Sequence, residues 1–340
     1  MEASAVKRLG EEGIPHLRVN FRASSVNPFS EFLGFGSLYM TLRSLRPDIV
    51  HCASPKGLMY GGIAARLAGV PALVLAVSGM GYAFTHAAGS WKRRVVRRLY
   101  IAGVRLAYGH RNKRVIVQNR DDKLAVESLG FASASELVVI GGSGVELERF
   151  DYITPSAKQK IVLFPARLLV DKGLLEFVEA ARSLRGRVPG WRFLLAGAAD
   201  YDNPSGVSEE MVKGWCREGV VEWLGHVDDM VDMYGRASIV CLPSYREGMP
   251  KSLLEAAAAG CAVVTTDAVG CREAVVPGET GDLVPIADAG ATARALFELI
   301  TDGERRIRYA ECGRARAYGS FGIDQVVKQT IAAYADILGS

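Results

Sequence analysis

Short apolar runs alternate with segments of helical period along most of the chain. Runs of Val, Leu, Ile and Ala read as buried strands, and apolar residues recurring every three or four positions read as helices packed on them. In the first half, residues 1–13 are polar and helix-like, and 15–20 alternate like a strand. Asn27-Pro28 opens a helix over 29–45, and 47–52 is a buried strand. Residues 57–68 form a helix rich in small residues that packs closely on a sheet. Further strands are expected at 73–77, at 115–119 and in 137–145, with a helix over 121–129 between the last two. After a linker at 151–156 the same rhythm restarts. Strands are predicted at 160–165, 191–196 and 221–224, with helices at 173–185, 211–218 and 231–237. Helices at 287–300, 303–317 and 321–338 close the chain. Alternation of this kind predicts parallel, doubly wound α/β sheets.

The most informative stretch is 238–266. An apolar strand, 238–243, is followed by Ser244-Tyr245-Arg246-Glu247-Gly248-Met249-Pro250-Lys251-Ser252, then an alanine-rich helix and a second apolar strand, 261–266. Pro250 suits a first helical position and Gly260 a left-handed stop, so the helix is expected over 250–259. Its N-terminus lies beyond the carboxyl end of a buried strand. The free N–H groups of Met249, Lys251 and Ser252 therefore form an anion site, and a phosphorylated ligand is expected there. Glu247 in the loop and Glu255 two turns into the helix add carboxylates, which accept hydrogen bonds from sugar hydroxyls.

Composition narrows the class. At 340 residues two domains are expected, and 49% apolar residues fit a folded α/β protein. A net charge of +4 gives no nucleic-acid binder by composition. The charge is uneven, however: residues 91–114 hold nine Lys or Arg and no acid. With Trp91, Leu99 and Tyr100, that run fits contact with an anionic membrane surface, the alternative being a solvated helix. The six cysteines show no metal spacing and read as buried thiols of a reducing cytoplasm. The most apolar window, 57–84, is broken by Arg66 and Pro71, so no membrane span is expected.

Glu247 and Glu255, eight positions apart in the setting Glu-Gly-Met-Pro-(x)4-Glu-Ala, resemble the Glu-x7-Glu motif of retaining GT-B glycosyltransferases, most closely family 4. Arg167 and Lys172, in Ala166-Arg167-(x)4-Lys172-Gly173, are similar to a second element of the same enzymes, with Ala166 where glycine is usual. Gly225-His226-Val227 resembles the turn that holds the nucleotide base, and Gly142-Ser143-Gly144-Val145, followed by Glu146, the loop that approaches the donor. In the first half, the segment Ser78-Gly79-Met80-Gly81-Tyr82 and the motif Gln118-Asn119-(x)-Asp121 are similar to bacterial members that extend lipid-linked or capsular saccharides.

The resemblance implies two Rossmann-like domains facing a cleft: an acceptor domain over 1–152, a nucleotide-sugar domain over 153–318, and a C-terminal helix, 319–340, crossing back. It implies transfer of a sugar from a nucleotide diphosphate sugar, a UDP-sugar by preference, to a lipid-linked or polysaccharide acceptor at the inner face of the membrane, with no metal and no nucleic acid. Glu247, Arg167 and Lys172 would be catalytic. Glu255, Gly248, Met249, Pro250, Lys251, Ser252, Val227 and Gly144 would bind the donor. Gly79, Gly81, Tyr82 and Asn119 would lie on the acceptor side, with His51 and His86 further candidates by sequence proximity. Family members open with a strand and a glycine-rich loop for which nothing before Pro15 is a match, so an incomplete N-terminal domain is also expected. For the same reason a non-catalytic nucleotide-sugar-binding or scaffold protein, or an epimerase of the same fold, remain alternatives.

Overall fold

The structure, a computed structural model, describes residues 2–19, 27–79, 91–151, 158–201 and 203–339. It is α/β, with two parallel sheets and, among the described residues, no closed barrel. By compactness the chain divides into Met1–Ala76, His86–Val115 and Ile337–Ser340 as one unit, and Val77–Thr85 with Ile116–Asp336 as the other.

The first unit begins with α1 (Glu2–Glu11) and α2 (Pro28–Leu45). Asn27 caps α2 by accepting the Phe29 N–H on its side chain at 3.0 Å, with Pro28 at the first position. Strand β1 (Ile49–Ala53) pairs in parallel with β2 (Ala72–Val77), Ile49 opposite Ala72. The connection is a π turn, Gly57–Gly61, continuing as α3 (Gly62–Ala68). Small residues are needed there: a Cβ on Gly61 would meet the Cys52 sulfur, and one on Gly62 would meet Ala107 of α4 (Trp91–Tyr108). The strand expected at 15–20 is a correction, since 14–19 carry no regular structure and Ile14 and Leu17 are exposed. Alternation alone does not hold a strand that finds no ladder partner among the described residues.

Strand β3 (Lys113–Val117) leads to α5 (Arg120–Ser128) and to the short β4 (Leu137–Val139). The first sheet has the order β1-β2-β3-β4. The second contains β5 (Gln159–Phe164), β6 (Arg192–Leu195), β7 (Glu222–Trp223), β8 (Ala237–Leu242), β9 (Ala262–Thr266) and β10 (Gly281–Val284), in the order β10-β9-β8-β5-β6-β7. Every residue of β8 and β9 is buried, as expected of central parallel strands covered on both faces. The covering helices are α6 (Leu174–Leu184), α7 (Glu209–Arg217), α8 (Met230–Arg236), α9 (Lys251–Ala258), α10 (Ala289–Thr301) and α11 (Gly303–Ser320), followed by α12 (Ile323–Leu338). Phe177 of α6 packs its ring 5.3 Å from Phe164 and 6.1 Å from Phe193, tying the helix to β5 and β6.

Where β6 ends, Gly197 passes so close to the β5 loop that a Cβ would overlap the Ala166 carbonyl. We expect Gly197→Ala to destabilise the protein by about 1–3 kcal/mol in denaturant unfolding, because backbone rather than a flexible side chain must move. An unchanged midpoint would show that the loop is not packed this way.

Candidate active site

Strands β5 and β8 are parallel neighbours, so the loops at their carboxyl ends emerge side by side. They touch at Gly173, which sits at φ +75°, where a Cβ would overlap the Pro243 carbonyl. Two hydrogen bonds join the two loops, and a third ties the β8 loop to the first turn of α6. The Asp171 carbonyl accepts from the Tyr245 N–H at 2.9 Å and from Ser244 Oγ at 3.0 Å, and the Tyr245 hydroxyl donates to Glu176 at 2.7 Å. The result is that Lys172 Nζ lies 2.5 Å from Glu247 Oε1, which also accepts from Ser244 Oγ at 2.8 Å. The lysine and the glutamate singled out in the sequence are thus in direct contact.

Arg167 lies on the same β5 loop, but its guanidinium is turned onto Asp200, at 2.6 Å. Asp200 follows β6, and only strand order brings it beside Arg167; nothing in its local sequence singles it out.

Helix α9 starts one residue later than expected. Pro250 is the N-cap, with extended backbone, and its carbonyl accepts the Leu253 N–H at 2.9 Å. Gly260, at φ +68°, ends the element as expected. The amides of Lys251 and Ser252 precede the first intrahelical bonds and face out of the helix start, with Gly248 and Met249 buried beneath them. Glu255 is largely covered, its side chain 20% exposed and 3.6 Å from Lys251. Burial raises its pKa above the ordinary glutamate range, outweighing the opposing pull of Lys251, Arg149 and a hydrogen bond with Tyr234. Tyr234 is buried and carried no signal in the sequence beyond an apolar helix face.

Of the glycines at 142–144, it is Gly142 that faces this helix: a Cβ there would sit 3.0 Å from Leu254 and 3.1 Å from Met249. Gly144 lies instead against the start of α12, and Val145 exchanges backbone bonds with Phe321 and Ile323 at 2.8 and 2.9 Å. In the 225–228 turn the Gly225 carbonyl accepts the Gly197 N–H at 2.8 Å, and Val227 packs on the core. His226 is exposed, 3.3 Å from the Asp228 carboxylate.

Gly79 and Asn119 both lie next to the loop holding Glu247. A Cβ on Gly79 would sit 3.2 Å from the Gly248 N, and one on Gly248 would overlap the Ser78 carbonyl and the Gln118 side chain. Asn119 is fully buried and donates to the Gly248 carbonyl at 2.7 Å. Its side chain also bonds Asp122, and Asp122 is ion-paired with Arg246. Neither Asp122 nor Arg246 was singled out by sequence; the signal available was the Asn119-(x)2-Asp122 capping pattern at the start of α5. Gly81, Tyr82 and His86 lie outside the described residues, and His51 is on β1 in the first unit.

The family model for group 1 glycosyl transferases matches residues 159–302, and the glycosyl transferase 4-like model matches residues 2–110. The chain is 29% identical over 318 residues to the N,N'-diacetylbacillosaminyl-diphospho-undecaprenol alpha-1,3-N-acetylgalactosaminyltransferase of Campylobacter jejuni, covering 90% of this chain and 81% of that one. It is 27% identical to the UDP-Gal:alpha-D-GlcNAc-diphosphoundecaprenol alpha-1,3-galactosyltransferase of Escherichia coli, covering 89% and 79%. Among solved structures, HepE of Anabaena, crystallised with UDP, matches with a TM-score of 0.78 at 20% identity, covering 98% of this chain and 89% of that one, a likeness of fold. The two matched models, the shared fold and these relatives place the chain among the GT-B glycosyltransferases of group 1, family 4, and it is a glycosyltransferase of glycan synthesis.

Proposed function

We propose that the enzyme transfers a sugar, with retention of configuration, from a UDP-sugar to a hydroxyl of a lipid-linked saccharide. The observation that carries this reading is the meeting of Lys172 and Glu247 beside the start of α9, with Glu255 one helical turn further along. The α9 amides and Lys172 would take the diphosphate, with Arg167 released from Asp200 to join them. Glu247 would hold hydroxyls of the donor sugar and Glu255 those of the ribose.

In the reaction the acceptor oxygen bonds to the anomeric carbon as the bond from that carbon to the diphosphate oxygen breaks. The acceptor proton passes to the departing phosphate, and the nucleoside diphosphate leaves. The cations and amides stabilise negative charge as it develops on the leaving group, so no resident metal is invoked. Glu247 is held by Lys172 and Ser244 as a hydrogen-bond acceptor. This favours a sugar-binding carboxylate over a covalent nucleophile, and attack from the leaving-group face follows. The UDP and lipid-linked assignments rest on what the relatives' names describe for those proteins. Among the described residues no helix is long and apolar enough to cross a membrane. The acid-free basic run through α4 would then bring the enzyme to anionic lipid, where such an acceptor resides.

Three outcomes test the reading. UDP at millimolar concentration should raise the melting temperature more than GDP or ADP, and Glu255→Ala should cost about 2–3 kcal/mol of UDP binding. Lys172→Ala should lower kcat for UDP-sugar turnover by about 10²–10³-fold. Equal responses to all three nucleotides, or full turnover without Lys172, would overturn it.

The pH dependence follows from burial of Glu255. Its carboxylate form accepts the ribose bonds, and its pKa is raised, so UDP affinity is full at high pH and falls as protonation sets in above the ordinary glutamate range. Calorimetric titration of wild type against Glu255→Gln isolates this term from titration of UDP itself. The variant should lose that part of the pH dependence; an identical profile would contradict the assignment.

A further inference from the structure

Glu247 is bracketed by two anchored neighbours. On one side Arg246 is ion-paired with Asp122, and on the other the Gly248 carbonyl accepts from Asn119 Nδ2 at 2.7 Å. Asn119 and Asp122 are themselves locked together: Asn119 Nδ2 donates to Asp122 Oδ2 at 2.9 Å, and Asn119 Oδ1 accepts the Asp122 N–H at 2.7 Å. Both are completely buried. A buried charge costs several kcal/mol unless paired, so the Asp122 carboxylate, held by Asn119 and Arg246, ties the two segments together, although Arg246 Nε finds no partner among the described residues. On the opposite side the Glu247 N–H donates to the Val269 carbonyl at 3.0 Å, and Gly270 leaves no room for a Cβ against the Glu247 carbonyl.

We propose that Asn119 and Asp122 are positioning residues: they fix the backbone on both sides of Glu247 and so set where its carboxylate meets the donor sugar. The proposal rests on the reading of Glu247 given above. It assigns to Asn119 a role other than direct contact with acceptor, since both amide hydrogens are engaged by Gly248 and Asp122. Asp122 contributes through Arg246, whose side chain leaves the loop immediately before Glu247. Displacement of a substrate-holding group by about 1 Å costs on the order of 10²-fold in rate, so loosening this clamp should resemble loss of Glu247 itself. It should change nucleotide binding little, because Glu255 is held from α8 by a hydrogen bond with Tyr234, away from the clamp.

The test is a double-mutant cycle of Asp122→Asn and Glu247→Gln, measuring kcat and KM for UDP-sugar hydrolysis and Kd for UDP. The expected result is a loss of about 10–100-fold in kcat/KM for Asp122→Asn, with Kd for UDP within about twofold of wild type. The double variant should be no slower than Glu247→Gln alone. If Glu247→Gln is impaired but Asp122→Asn is not, or its loss adds fully to that of Glu247→Gln, or UDP affinity falls in parallel, the positioning role is overturned while the donor-site reading stands. An unimpaired Glu247→Gln overturns the donor-site reading and the proposal together. Should Asp122→Asn fail to fold, Arg246→Gln reads the same clamp from a side chain that is 27% exposed, with the same expectations.

Discussion

Contact between Lys172 and Glu247 depends on two loops from neighbouring parallel strands running against each other, closest where Gly173 meets Pro243. Gly173 provides the close approach to Pro243, and the Asp171 carbonyl, by accepting both from Ser244 and from Tyr245, fixes the register of one loop on the other. The cation is then delivered to the carboxylate by backbone geometry, not by side-chain reach. Two long flexible side chains held only by their own attraction at a surface would contribute little to order. Here the pair is partly buried, at 25% and 13% exposure, and Ser244 supplies a third partner.

The same economy recurs around Glu247. Gly79, Gly248 and Gly270 are all positions where a Cβ would press on backbone, and together they let three segments converge on one peptide. Close packing of backbone on backbone makes the loop stiff, and stiffness is what a site needs when it must tell a developing diphosphate from bound substrate. Arg167 is the exception. It is more than half exposed and occupied by Asp200, so it is the cation in the group with freedom to change partners.

Much of this was readable in the sequence because parallel strands are written as uninterrupted apolar runs and their loops as glycine, proline and charge. Residues 238–266 announce strand, anion-binding helix start and strand in order, and Lys172 with Glu247 could be paired by resemblance. Partners contributed by distant segments were not readable. Asp200, Glu176, Asp122 and Tyr234 sit in ordinary helix or loop patterns, and only strand order or burial gives them meaning. Gly142 and Gly144 illustrate the limit well: both glycines have positive φ, and only the packing of α12 against Val145 determines which one faces Met249. Segment 15–19 shows the converse, an alternating pattern that finds no strand neighbour among the described residues.

The central claim, that the β5 and β8 loops with the start of α9 form one donor site, is tested most directly by a crystal structure with an intact UDP-sugar. The account predicts the diphosphate within hydrogen-bond distance of the Lys251 and Ser252 amides and of Lys172, the sugar on Glu247 and the ribose on Glu255. A donor bound with its diphosphate away from the α9 N-terminus, or with Glu247 still closed on Lys172 and touching no sugar hydroxyl, would contradict it.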